Sequence, residues 1–276
     1  MMTGFAFMLA PIEDMTSNAF RTLCHKYGAD LTFTEMAKVM ALARNNKSTW
    51  SRLDCSDGTP TAIQVLGSRE SEFKRFLGMF KPAEGFRGFN LNLGCPSPDA
   101  IEYGQGCAMV RKISKTMRIV SMFRDCGYGV SVKMRLGMNA LDKEYKIYLK
   151  IIESVDADFF VVHARHGKQT YAQPADFGVY EECVKTGKDI IANGDIRTSA
   201  QVESLKGIGV KGAMIGRAAV LDPAIFNRLK GLPVPTAEAL REEYIALADQ
   251  FQEPDKYRNN ILRRIGLSDL ALFGNG

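Results

Sequence analysis

The residues with most chemical content are a cysteine in Gly94-Cys95-Pro96, a lysine inside Ser131-Val132-Lys133-Met134-Arg135, and the turns Asn193-Gly194-Asp195 and Gly216-Arg217. A thiol presented on a turn can serve as a general acid, because an ordinary thiol stays mostly protonated at neutral pH. A lysine between apolar strand residues is costly unless an anion meets it. One anion that suits is the N1–C2 carbonyl edge of a reduced flavin, which a fixed cation would stabilise. Glycine turns free backbone N–H groups for phosphate, and Arg217 adds a guanidinium fork matched to phosphate oxygens. Each feature has a plainer explanation. Cys95 could be a small buried hydrophobe, the turns ordinary connections with a surface arginine, and Lys133 a residue facing a helix layer. The last is the weakest, since a parallel strand is covered on both faces.

The elements that must position these residues follow from the hydrophobic pattern. Short apolar or β-branched runs predict strands at Phe5–Leu9, Leu31–Thr34, Ala62–Leu66, Phe89–Asn92, Ser131–Met134, Phe159–Val162, Asp189–Ala192 and Ala213–Ile215. Amphipathic patterns between them predict helices at Asn18–Tyr27, Ser71–Phe80, Ser114–Asp125, Asp142–Ser154, Phe177–Lys185 and Ser199–Leu205. Eight strands separated by helices predict a (β/α)₈ TIM barrel. The break Leu232-Pro233-Val234-Pro235 divides that barrel, residues 1–232, from a small helical segment, residues 233–276. There Thr236 can cap a helix from about Ala237 to Phe251, and a second covers Lys256–Arg264. In such a barrel the C-terminal ends of the strands form the active face. They deliver Ala10-Pro11, Glu35, Gln64, Asn92 with Cys95, Lys133 with Arg135, His163 with Arg165, Asn193-Gly194 and Gly216-Arg217. Any one could be a satisfied loop residue; eight converging polar ends point to a site.

Composition sets the bounds. The 276 residues suit one large domain, and 46% hydrophobic with 24% charged residues is ordinary for a globular protein able to bury a core. The six cysteines show no C-x-x-C pair or zinc-like spacing, and His163 and His166 lack further ligands by pattern, so no metal is expected. No run approaches the roughly 18 apolar residues of a membrane helix. The apolar opening Met1–Ile12 lacks a basic start and cleavage site, so it is read as a first strand of a cytoplasmic protein. The net charge is +5. Residues 233–276 carry five Lys/Arg against seven Asp/Glu, so the segment is net −2 and the remainder +7.

The order of these blocks resembles the tRNA-dihydrouridine synthase family, a group of FMN-dependent barrel reductases, over roughly residues 5–226. Ala10-Pro11-Ile12 with Asn18-Ala19-Phe20-Arg21 is similar to the family's A-P-M…F-R opening. Tyr27-Gly28-Ala29-Asp30 and Thr34-Glu35-Met36 resemble its Y-G-A-D…T-E-M. Asn92-Leu93-Gly94-Cys95-Pro96 resembles N-x-G-C-P, followed by Gly104-Gln105-Gly106, and Val132-Lys133-Met134-Arg135-Leu136-Gly137 resembles V-K-x-R-x-G. His163-Ala164-Arg165, Tyr171 and Ala175-Asp176 are similar to H-x-R…Y…A-D-W, and the two turns named first complete the set.

The resemblance implies that Ala10, Pro11, Ile12, Gln64, Lys133, His163, Asn193, Gly194, Asp195, Gly216 and Arg217 hold FMN. It implies that Asn92, Glu35, Arg165 and Tyr171 meet the substrate and that Cys95 donates the proton. NADPH, or NADH, would reduce the flavin, which passes hydride to C6 of a uracil drawn out of the stack of a tRNA. Ile12, Phe177 and His166 depart from the family's Met, Trp and Thr, and residues 233–276 are shorter than its helical domain. Within that segment only Lys256, Arg258, Arg263 and Arg264 form a cluster suited to phosphate. Two rival functions share parts of the pattern. An FMN barrel acting on a small molecule, such as a dihydroorotate dehydrogenase, would share the phosphate turns and lysine. A non-catalytic RNA-binding relative would have no use for Cys95, Lys133 and His163 together.

Overall fold

A computed structural model of the chain describes residues 4–267; the first three residues of the opening stretch and positions 268–276 of the C-terminal segment lie outside the described residues. The strands are β1 (Ala6–Leu9), β2 (Thr32–Phe33), β3 (Ala37–Lys38), β4 (Thr61–Leu66), β5 (Phe86–Leu93), β6 (Val130–Arg135), β7 (Phe160–His163), β8 (Ile190–Asn193) and β9 (Gly212–Ile215). All pairs are parallel, in the order β1-β9-β8-β7-β6-β5-β4-β2, with β3 a second short piece along β4. Helices cover the outside, so this is the expected (β/α)₈ barrel. Its seam, between β1 and β2, is closed by one bridge, Met8 to Leu31, with the Leu9 N–H donating to Leu31 O at 3.0 Å, the Asp30 N–H to Phe7 O at 2.7 Å and the Phe7 N–H to Asp30 Oδ2 at 2.7 Å.

Strand alternation sorts the side chains. Outward residues such as Phe89, Leu91, Val130 and Val132 join the large core under the helices. Phe89 packs on Phe80 and Phe123 with ring centroids 4.8 Å apart in both pairs, which anchors β5. Inward residues divide by side. Met8, Phe33, Ala62, Val161, Ile191 and Met214 form a small apolar plug. On β5 and β6, and at Gln64 of β4, the inward positions are polar: Gln64 Nε2 donates to Asn90 Oδ1 at 2.7 Å, and Asn90 Nδ2 to Ser131 Oγ at 2.8 Å. A buried amide chain of this kind is tolerable because each link has a partner.

The strand expected at Leu31–Thr34 is present as β2, which ends at Phe33, and Thr34-Glu35-Met36 lead on to β3 at Ala37. Two other expectations are corrected. The helix expected over Asp142–Ser154 is two, Ala140–Glu144 and Ile147–Ser154, separated by Lys146 in the left-handed region at φ 51°. The first turn there is held by other bonds, since Asp142 accepts from Arg111 and from the Met138 N–H at 2.8 Å. The short helices Val39–Ala43 and Lys47–Ser51 fill a stretch for which no helix was expected; at five residues each they complete too little period to be read.

The C-terminal helices Ala237–Gln250 and Asp255–Leu262 lie against the barrel. Glu243 takes the Tyr27 hydroxyl at 2.6 Å and Lys26, while Glu253 accepts from the Tyr244 hydroxyl at 2.7 Å and the Ala19 N–H at 3.3 Å. The second helix reaches the mouth, where Lys256 pairs with Asp14 at 2.6 Å and Asn260 Nδ2 donates to Asp14 O at 3.1 Å.

Candidate functional site

A cavity of about 390 Å³ opens at the C-terminal ends of the strands, within the range of small-molecule sites. Of the sequence-derived site residues, Ala10, Pro11, Ile12, Gln64, Asn92, Cys95, Lys133, His163, Tyr171, Asn193, Gly194, Asp195, Gly216 and Arg217 line it. Glu35 and Arg165 do not. Met36 and Arg135 do, neither of which had been given a role.

One wall is the turn after β5. Asn92 Oδ1 accepts from the N–H groups of Gly94 and Cys95, both at 2.9 Å, and its Nδ2 donates to Gln64 Oε1 at 2.9 Å and Met36 Sδ at 3.3 Å. The Asn92 amide therefore shapes the turn that presents Cys95, and only its weak contact to sulfur is easily exchanged for a ligand. From the other side the Cys107 N–H donates to Cys95 O at 3.0 Å. That approach requires Gly106: its φ is 56°, and an added Cβ would lie 2.3 Å from Cys95 O. The Gly104-Gln105-Gly106 motif thus serves the cysteine turn, a role its spacing alone did not reveal. Cys95 Sγ is partly exposed and 3.3 Å from Ser97 Oγ, whereas Cys107 is buried, donates to Gly94 O at 3.1 Å and is pushed up to about 12 by burial.

The lining contributed by β6 and by the turn after β9 is cationic. Lys133 is half-buried and faces the cavity; burial, then the charge of Arg135, lower its pKa to about 8. Arg135 is held by the carbonyls of His166 at 3.0 Å and Gln169 at 3.3 Å. The Arg217 guanidinium sits 4.0 Å over the Tyr171 ring and donates to Asp195 Oδ1 at 2.8 Å. Burial pushes the Asp195 carboxyl up, but hydrogen bonds from Arg165 and the Ala175 N–H, with the charges of Arg165 and Arg217, hold it below its ordinary value. His163 is pushed down to about 2, first by burial and then by Lys133, Arg135, Arg165 and Arg217, so it stays neutral.

The turn after β8 puts Gly194 at φ 114° and Asp195 at φ 52°. A Cβ on Gly194 would come within 3.0 Å of both Ala175 Cβ and His163 Cδ2, so glycine is required for space as well as conformation. Asn193 Nδ2 is spent on Met214 O at 2.8 Å, tying β8 to β9.

The two residues outside the cavity, Glu35 and Arg165, are placed as follows. Glu35 is 3% exposed, and its Oε2 accepts from the Tyr257 hydroxyl at 3.2 Å and lies 3.6 Å from Arg52 Nη1. It is in the segment between β2 and β3, where strand alternation no longer sets direction. Burial, with Asp14 and Glu13 nearby, raises its pKa against the opposing pull of Arg52 and Tyr257. Arg165 is 1% exposed, beneath the Tyr171 loop. Among the described residues no group of His, Cys, Asp and Glu has the arrangement of a metal site.

Comparison with known proteins agrees in one direction. The family model for dihydrouridine synthase (Dus) matches residues 8–263. The rat protein named tRNA-dihydrouridine(47) synthase [NAD(P)(+)]-like is 27% identical over 228 residues, 80% of this chain but 35% of that one. tRNA-dihydrouridine synthase B of Pseudomonas putida is 28% identical over 229 residues, covering 81% of this chain and 67% of that one. A probable tRNA-dihydrouridine synthase of Staphylococcus epidermidis is 29% identical, covering 80% and 71%. The chain thus spans about a third of the rat relative and roughly two thirds of the bacterial ones. In fold it is similar to a solved structure of morphinone reductase in complex with tetrahydroNAD, with TM-score 0.60 and 10% identity over 98% of this chain and 94% of that chain.

Proposed function

The chain belongs to the dihydrouridine synthase family, and from that premise we propose that it reduces the C5–C6 bond of a uridine in tRNA, with FMN bound in the cavity and NADPH or NADH as the reductant. The observation that carries this reading is the placement of Cys95 on a braced turn that lines one cavity together with the cations Lys133, Arg135 and Arg217. The donor set fits the cofactor. Lys133, Arg135 and Arg217 face the cavity, and Asp195 there is already engaged by two guanidiniums, so an anionic phosphate and a ring edge gaining negative charge are both matched. In this reading Gly194, Gly216 and Arg217 hold the phosphate, and Lys133 meets the ring. Bound there, reduced FMN would supply the hydride. The chain's own residues do the rest: Cys95 delivers the proton, the Asn92 amide aligns both the turn and the uracil edge, and Tyr171 at the rim offers its exposed ring. Among the described residues no helix is long and apolar enough to cross a membrane, and a tRNA substrate would place the reaction in the cytoplasm.

The reading is tested by mapping dihydrouridine in RNA from cells lacking the protein, and by incubating purified protein with that RNA and NADPH. Restoration of dihydrouridine at the missing positions is expected. No loss in the cells and no formation in the tube would leave a flavin barrel acting on a small molecule.

Two further outcomes follow. Arg217→Ala should weaken FMN roughly 10- to 100-fold, the worth of hydrogen bonds to a charged group, read by fluorescence titration; an unchanged Kd would move the phosphate elsewhere. RNA affinity should fall steeply with salt. Of the four tail cations, Lys256 already pairs with Asp14 and Arg258 with Asp249, each at 2.6 Å. Replacing Lys256, Arg258, Arg263 and Arg264 together should therefore reduce the slope of log K against log salt by no more than about two rather than four. A slope that does not change would assign the phosphates to the barrel face alone.

A further inference from the structure

Arg165 follows His163 by two residues and lies under the cavity wall without lining it. Its guanidinium is divided among four partners. Nε donates to Gln173 O at 2.6 Å, and Nη2 to Tyr171 O at 3.4 Å and to the Asp195 carboxylate. Nη1 is 3.3 Å from His163 Nε2. A guanidinium has only donors. At that last contact Nε2 must accept, so a neutral His163 must carry its proton on Nδ1. No described residue accepts from Nδ1, and the ring lines the cavity. Asp195 in turn takes Arg217, whose guanidinium covers the Tyr171 ring.

We propose that Arg165 is a positioning residue: it fixes His163 as an Nδ1–H donor for an acceptor on the bound flavin, and through Asp195 and the Tyr171 carbonyl it sets Arg217 and Tyr171 at the rim. The identity of the ligand rests on the function proposed above; the tautomer and the linkage do not. The geometry also explains why an arginine is needed. A lysine brings one nitrogen, which its anionic partner Asp195 claims, leaving His163 Nε2 and the two carbonyls without their donor.

The chain has three histidines, His25, His163 and His166, so imidazole nitrogen-15 spectra hold three rings, assignable by removing His25 and His166 in turn. The spectrum is recorded on the full chain stripped of flavin and again after addition of FMN. His163 is expected neutral and protonated at Nδ1 in both. In Arg165→Lys that tautomer should be lost and FMN affinity should fall roughly tenfold or more. In Asp195→Asn the tautomer should remain while FMN weakens, because only the Arg217 arm is cut. A wild-type His163 protonated at Nε2 overturns the proposal, as does an Arg165→Lys protein with tautomer and FMN affinity unchanged. Should Arg165→Lys fail to fold, the wild-type tautomer still decides. The spectrum needs neither RNA nor turnover, so an Nδ1-protonated His163 in a protein that makes no dihydrouridine would overturn the functional reading alone.

Discussion

Cys95→Ala is expected to bind FMN and accept electrons from NADPH at the wild-type rate, yet to be reoxidised by tRNA roughly 10²–10⁴-fold more slowly, the usual worth of a positioned acid. Saturating C5–C6 requires a proton as well as a hydride, and Cys95 is the partly exposed thiol lining the cavity. Its backbone is fixed from both sides, by Asn92 Oδ1 on its N–H and by the Cys107 N–H on its carbonyl. The side chain therefore has little freedom to misplace the proton, and removing it leaves the turn intact. Cys107 cannot substitute: it is buried, donates to Gly94 O, and holds its proton too tightly. The exposed Cys126 at the end of the Ile113–Asp125 helix provides the control. Stopped-flow reoxidation of Cys95→Ala and Cys126→Ala at equal rates would remove Cys95 from the mechanism.

The second large effect concerns Lys133 and pH. In the ligand-free protein burial lowers this lysine to about 8, whereas an unfolded chain holds the proton to about 10.4. Below pH 8 the lysine is charged in both states and the cost of burying that charge is fully present. Between about 8 and 10.4 the unfolded chain binds more protons, so the ligand-free protein should gain stability as pH rises. Binding of an anionic cofactor runs the other way, because it needs the ammonium. FMN affinity should fall as pH rises through 8, by up to roughly 10²-fold if the ligand returns the lysine to its ordinary value. Lys133→Met should bind FMN weakly at pH 7 and show no such fall. A wild-type affinity flat from pH 7 to 9.5 would mean that Lys133 does not face the negative charge.

The barrel was legible because its strands are β-branched or aromatic runs ended by polar residues or glycine, as in Val132-Lys133-Met134-Arg135 on β6 and Ile191-Ala192-Asn193-Gly194 at the end of β8. Asn92 and Lys133 were visible as polar strand ends, whereas the inward Asn90 and Ser131 below them stood out by nothing in the pattern. What strand ends could not convey was direction once the strand had stopped. Glu35 sits past β2 and meets Tyr257 from 222 positions away, a contact with no local signature. Arg165 sits past β7 and goes beneath the surface because four acceptors await it, three of them on a loop and a turn whose paths depend on the arginine itself. The pairing within the tail cluster is hidden for the same reason, since the carboxylates of Asp14 and Asp249 that meet Lys256 and Arg258 are not announced by spacing alone. Arg135 was visible at its strand end but remained unassigned, although it lines the cavity.

The single bridge between β1 and β2 has a mechanical implication for the segment after residue 232. A ring closed at one point by so little backbone pairing is weakest there, and the ring's circumference is what holds the strand ends at their spacing. The helix Asn18–Lys26 spans that joint in the chain, and the Ala237–Gln250 helix is fastened to it through Glu243, while Glu253 just beyond reaches Ala19. Lys230, ahead of that segment, holds Gly28 O at 2.8 Å and Asp30 at 3.2 Å beside the joint and would remain after a cut. The appended helices thus work as a splint, and the point where barrel and appendage divide in sequence is not a point where they divide in strength. A chain cut at residue 232 would lose clamping at its own hoop before it lost any residue of the cavity.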